Sequence, residues 1–157
     1  MRLKQYITEK SPFKGWVNYT PQSLEEDFAE YKKKESTKWK RRAKSMGFRF
    51  PIFKDFPEFT QALKTAQVKK LFRGEAERIT NVALNDTIED VESMVSSYKR
   101  PRDVKRIDKG FEVSAKMPMP IILKGSKGMH ILAGNTRLIV ACIMNQIPEV
   151  LIVDVTK

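Results

Sequence analysis

The chain has 157 residues, 41% hydrophobic and 31% charged, with 30 Lys+Arg against 19 Asp+Glu for a formal net charge of +11. That length suits one compact domain with an appended helical arm. The composition excludes a wholly disordered chain, and no apolar run reaches the roughly 18–20 residues of a membrane span.

The N-terminal Met1-Arg2-Leu3-Lys4-Gln5-Tyr6 lacks the apolar core of a signal peptide. Cys142 is the single cysteine, which excludes an internal disulfide framework and a multi-cysteine metal site. A soluble cytoplasmic protein is the expectation.

Ser23-Leu24-Glu25-Glu26 reads as a capping box that opens a helix over about 23–46, stopped by Gly47. Leu24, Phe28, Tyr31, Trp39, Ala43 and Met46 follow helical spacing, with Glu35 interrupting the stripe. The rest of the segment is densely basic: Lys32, Lys33, Lys34, Lys38, Lys40, Arg41, Arg42, Lys44 and Arg49 face only Glu35. Such clustering points to nucleic acid, DNA favoured, because Lys and Arg release counterions condensed on phosphates. Lys34, Lys38, Lys40, Arg41 and Arg42 are the expected contacts, and Trp39, with Tyr31, is expected to stack on unpaired bases. A solvated face whose aromatic seam docks on the domain is the plainer alternative.

Phe48, Phe50, Ile52, Phe53, Phe56 and Phe59 crowd the next segment. They are expected to be core anchors, with Pro57 in the first turn of a helix reaching about 70 and Arg73-Gly74 ending it. Ile79 to Leu84 reads as a short strand. Asp86-Thr87-Ile88-Glu89 reads as a cap for a helix through about 98, followed by a basic loop over 99–109.

The last forty residues are the most informative. Ile121-Ile122-Leu123, the turn Gly125-Ser126-Lys127-Gly128, and Met129 to Ala133 read as a hairpin. Gly134 breaks the chain, Asn135 caps a helix carrying Leu138, Ile139, Ala141, Cys142 and Ile143, and Val150 to Val155 reads as a central strand. Gly134, Asn135, Thr136 and Arg137 therefore stand at a helix N-terminus, where free backbone amides, a hydroxyl and a forked cation suit a phosphate. An ordinary capped helix with Arg137 in a surface ion pair is the alternative.

Residues 118–155, with His-Ile-Leu-Ala-Gly-Asn-Thr-Arg-Leu-Ile-Val-Ala at their centre, resemble the ParB/sulfiredoxin superfamily, in which a hairpin leads into a Gly-x-x-Arg helix start and a final strand. The match extends back to the helix at 86–98. The resemblance implies an α/β (α+β) fold with a small sheet over residues 74–157, preceded by a basic helical extension over 1–73. It also implies that Gly134 and Arg137 bind nucleotide phosphate, and it suits a phage protein working in the host cytoplasm. Asn135 stands where sulfiredoxins carry their catalytic cysteine, which sets that chemistry aside. Asn135-Thr136-Arg137 replaces the Glu-Arg-Arg of partition proteins.

Phosphoryl transfer or hydrolysis would need carboxylates to hold Mg²⁺ or activate a nucleophile. Glu77 and Glu75, just ahead of the expected strand, are the candidates, while Asp86 and Glu89 serve as caps. His130, the one histidine, is expected near the nucleotide or in a structural role on its strand. The expected function is binding of a nucleotide or nucleic-acid phosphate, with nucleotide hydrolysis or phosphoryl transfer using a nucleoside triphosphate and Mg²⁺. A Mg²⁺-dependent DNA nuclease and a non-catalytic phage module that binds a host protein or nucleic acid are the alternatives. The sequence assigns no metal ligands.

Overall fold

Residues 15–80, 107, 109, 110, 116–144 and 146–157 are described in this computed structural model. The elements in chain order are β1 (Trp16–Val17), α1 (Pro21–Lys33), a π-helical turn (Glu35–Trp39), α2 (Lys40–Met46), α3 (Phe56–Lys64), β2 (Gln67–Lys70), α4 (Arg73–Thr80), β3 (Met117–Pro118), β4 (Ile121–Lys124), β5 (Met129–Ala133), α5 (Asn135–Ile143) and β6 (Glu149–Asp154). The protein is thus mixed α/β, with one two-stranded and one four-stranded sheet among the described residues. Among the described residues no helix is long and apolar enough to cross a membrane. The expected helix at 86–98 and its Asp86 and Glu89 caps lie outside the described residues, as does most of the basic loop at 99–109.

The chain forms two compact units that interleave in sequence: residues 1–17, 70–117 and 136–148 in one, and 18–69, 118–135 and 149–157 in the other. The basic helices therefore share a unit with the hairpin and the final strand.

In that second unit the strand order is β2-β6-β4-β5. β4 pairs antiparallel with β5, Leu123 opposite His130, and parallel with β6, Leu123 opposite Val153. The hairpin, its glycine turn and the interior position of the last strand match the sequence reading. The β-branched residues of β6 suit a strand flanked on both sides, and Val150, Leu151, Ile152 and Val153 are all buried. Residues 67–70 differ from expectation. α3 stops at Lys64, and Gln67–Lys70, all exposed, form an edge strand beside β6 instead of continuing a helix.

α3 begins as Pro57 suggested. The Asp55 carboxylate accepts from the Glu58 amide at 2.9 Å, while the Glu58 carboxylate accepts from the Lys54 amide at 2.7 Å. Its buried face joins an aromatic core in which Phe53 and Phe59 lie 5.1 Å apart and Phe28 lies 5.5 Å from Phe59. Phe48, Ile52, Phe53 and Phe59 are buried, so core packing is what the phenylalanine-rich segment does, while Phe50 stays exposed. Each fully buried ring contributes roughly 2–3 kcal/mol.

The first helix starts at Pro21, earlier than the capping-box reading placed it. Thr20 is the cap, accepting from the Ser23 amide at 3.2 Å, because Pro21 has no N–H of its own to satisfy in the first turn. Gly47 does end the basic segment, at φ 74°. There the chain meets the hairpin: Lys127 N–H donates to Met46 O at 3.0 Å, Lys157 N–H to Gly47 O at 3.1 Å, and Arg49 N–H to Val155 O at 2.8 Å.

In the first unit, Met117 N–H donates to Gly15 O at 2.7 Å and Leu71 N–H to Pro148 O at 2.9 Å. Arg73-Gly74 begins helix α4 instead of ending α3, and Ile79 is helical, so the strand expected from residue 79 does not start there. Along α5, Leu138 to Cys142 are all buried, which fits Cys142 as a small hydrophobe.

Two glycines make a direct test of the hairpin junction. A Cβ on Gly125 would collide with the Met46 carbonyl oxygen and the Phe48 ring, whereas a Cβ on Gly74 meets nothing within 4 Å. Gly125→Ala should lower unfolding stability by about 2–4 kcal/mol through overpacking against backbone. Gly74→Ala should be neutral or raise stability by about 0.5–1 kcal/mol, since the glycine sits in a helix. Urea unfolding of both variants measures the contrast.

Candidate functional site

The basic segment carries its charge on a helix whose phase is reset in the middle. Eight residues of α-helix between Tyr31 and Trp39 would overshoot two full turns by roughly 80°. The wider π turn at Glu35–Trp39 takes up that excess. Tyr31 and Trp39 then share the inner face, their ring centroids 5.8 Å apart, and are 1% and 4% exposed.

That burial corrects one expectation. Neither ring presents a face to solvent, so base stacking by Trp39 and Tyr31 is withdrawn. The Tyr31 hydroxyl instead accepts from the amides of Ile52 at 3.1 Å and Phe53 at 3.3 Å, and donates to Glu35 Oε1 at 3.1 Å. Burial, reinforced by Glu35, pushes its pKa up to about 12 and keeps the phenol protonated.

Trp39 does have a positioning role. The Arg42 guanidinium lies over its ring, 5.1 Å from the centroid, and the His130 ring meets it edge-on at 5.7 Å and 81°. One buried indole thus holds a cation from α2 and an imidazole from β5. Lys38, one helical turn before Arg42, acts on the same groups. Burial, then Arg42, then Lys34 lower the Lys38 pKa. Burial and Arg41 lower that of Arg42. His130 is pushed down to about 4 by burial, then by Arg42 and Lys38, so it is neutral at pH 7.

The remaining basic residues differ in how far they are compensated. Lys34 pairs with Glu30 at 3.0 Å, and Lys32 with Glu35 at 3.0 Å. Lys40 and Arg41 are exposed. Among the described residues no carboxylate forms an ion pair with Lys38, Lys40, Arg41 or Arg42.

The other expected site residues are placed as follows. Gly134 adopts φ 90°, a conformation open to glycine, and the next residue, Asn135, begins α5. Thr136 is 6% exposed and Arg137 is half-buried. The boundary between the two units passes between Asn135 and Thr136. His130 stands four strand residues before Gly134, roughly 13 Å of extended chain, and its ring packs on Trp39, so its neighbours are Lys38 and Arg42. Glu75 lies in the first turn of α4 and Glu77 in the same helix, with the Glu77 side chain outside the described atoms. Among the described residues no three His, Cys, Asp or Glu side chains gather into a metal-binding group.

The grouping of His130 with Lys38 and Arg42 is what sequence reasoning missed. The i,i+4 spacing of the two cations was visible, but their alignment with a residue ninety positions away depends on the π turn and on the docking of Gly47 against the hairpin. No protein-family model matches the chain, and no curated protein or solved structure matches it.

The low His130 pKa has a consequence for acid stability. A group that titrates near 6.5 unfolded and near 4 folded binds its proton preferentially when unfolded. Its neutral form supports the fold above about pH 6.5, and stability falls as pH drops from there toward 4. The loss should be on the order of 2 kcal/mol, allowing for solvent screening of a partly exposed ring. Chemical denaturation at pH 7 and pH 4.5 should show it, and His130→Gln should flatten that part of the profile.

Proposed function

We propose that this protein binds nucleic acid, DNA in the first place, through phosphate contacts made by Lys38, Lys40, Arg41 and Arg42. The observation that carries this reading is uncompensated positive charge held on ordered structure. Arg42 disfavours protonation of Lys38, and Arg42 and Lys38 disfavour protonation of His130, which marks a concentrated positive potential. No carboxylate among the described residues neutralises the four cations in an ion pair. Such a surface has a standing electrostatic cost that a polyanion relieves. Lys34, already paired with Glu30, contributes less.

A second phosphate site, for a nucleotide, is proposed at Gly134–Arg137. It is favoured by the left-handed Gly134 immediately before a helix N-terminus and by Thr136 and Arg137 in the first turn. The hairpin–glycine–helix–strand order, with β4 parallel to β6, supports the proposed likeness to ParB/sulfiredoxin domains. An enzymatic form of this reading would take a nucleoside triphosphate with Mg²⁺ as its ligand.

The test is DNA binding as a function of salt. Four phosphate contacts give a slope of log K against log salt of about −3 to −4. Charge reversal of the exposed pair, Lys40→Glu with Arg41→Glu, should weaken binding at least about tenfold without unfolding the protein. Retained affinity, or a salt-independent one, would remove the claim. Arg137→Ala should weaken binding of ATP or CTP by about tenfold and leave DNA affinity unchanged; calorimetry separates the two sites.

A further inference from the structure

We propose that Lys38, Arg42 and His130 form a subsite for a single tetrahedral dianion, the terminal phosphate of a 5′-phosphorylated strand or mononucleotide, and that His130 takes up a proton as that phosphate binds. The inference rests on the reading of the basic segment as phosphate-binding, and names which phosphate this part of it takes.

Three features distinguish the trio from the rest of the basic surface. Its members come from three elements, the π turn, α2 and β5, yet Arg42 and His130 bear on one buried ring, at 5.1 and 5.7 Å from its centroid. They are half-buried, whereas Lys40 and Arg41 are exposed. They also include a donor that can change charge. A sugar–phosphate backbone presents single negative charges spaced along a strand, which the exposed lysines and arginines can follow. A guanidinium and an imidazole gathered on one ring, with Lys38 on the turn that carries that ring, instead fit one compact group, and Lys38 with Arg42 match the two charges of a phosphate monoester.

The proton follows from the charges. Lys38 and Arg42 are the charged groups that bear on His130; Arg42, Lys34 and the opposing carboxylate of Glu30 act on Lys38, and Arg41 acts on Arg42. Burial first, then repulsion from Arg42 and Lys38, keeps the imidazole neutral, and a dianion seated among them outweighs that repulsion and favours the charged ring. One proton then passes from solvent to the ring, and no covalent bond of the ligand changes. Binding therefore tightens as pH falls, provided that the ligand keeps its charge. Sulfate meets that condition as a probe, because it stays a dianion between pH 5 and 7.

The molecule offers a clean reporter, since His130 is its only histidine. The experiment follows the imidazole proton resonances of the full chain by NMR from pH 7 to pH 3, alone and with sulfate. Deoxyadenosine 5′-monophosphate, a 5′-phosphorylated oligonucleotide and its 5′-hydroxyl twin form the other arms. The expected result is that sulfate and the 5′-phosphorylated strand move the His130 midpoint upward by about two pH units, while the 5′-hydroxyl twin leaves it in place and binds about tenfold more weakly. Sulfate should bind about tenfold more tightly at pH 5 than at pH 7, and His130→Gln should abolish that dependence.

A shift with the mononucleotide but not the strand assigns the subsite to free nucleotides. A shift with sulfate when neither strand binds supports the subsite and overturns the nucleic-acid reading. Equal binding of both strands with the His130 midpoint unmoved overturns the subsite and leaves that reading standing. The wild-type titration needs no substitution, so the outcome does not depend on whether a variant folds.

Discussion

The Tyr31 hydroxyl holds three partners at once, accepting from the amides of Ile52 and Phe53 and donating to Glu35. Without it, two buried backbone N–H groups would lack an acceptor, at a cost of about 1–3 kcal/mol each. The bond to Glu35 ties the end of α1 to the start of the π turn, and that turn brings Trp39 into register with Tyr31. The ring of Trp39 in turn carries Arg42 and His130. The order of the basic surface is thus inherited from one buried phenol. Because burial keeps that phenol protonated to about pH 12, the arrangement holds across the physiological range.

A basic arm tethered to a domain and a basic face built into one make different use of the same charge. An arm must be ordered when it binds, which subtracts conformational entropy from its affinity. Here the ordering is done in folding. The Met46–Gly47 corner accepts hydrogen bonds from the hairpin turn and from Lys157, and Gly125 lets the two segments approach more closely than any side chain would allow. The lowered pKa values of Lys38, Arg42 and His130 record first their burial and then the cations folded in beside them.

Legibility in the sequence followed the strength of local signals. The hairpin, the Gly134 break, α5 and β6 were readable because glycines and Pro148 punctuate β-branched runs, and those signals agree with the tertiary structure. Gly47 as a stop and Pro57 as a helix start were readable for the same reason. β2 was not: Gln67-Val68-Lys69-Lys70 is exposed throughout, so it has no alternation to read, and pairing with β6 alone makes it a strand. α4 was missed because Gly74 looks like a terminator when it sits second in a helix, and Ile79 favours strands. At the site, each cation could be named from the sequence. The π turn could not, since nothing in Glu35-Ser36-Thr37-Lys38-Trp39 departs from an ordinary helical composition. That single turn decides that Trp39 is core, and that His130 belongs with Lys38 and Arg42.

The central claim is that the charged helices and the hairpin are one cooperative structure. Native-state hydrogen exchange in graded denaturant measures it most directly, residue by residue. The account predicts that amides of Lys38 to Met46 open together with those of Ile121 to Ala133, at a common free energy and with the same denaturant dependence. Exchange of the basic segment at a markedly lower free energy, while the hairpin stays protected, would show an independent arm and contradict the account.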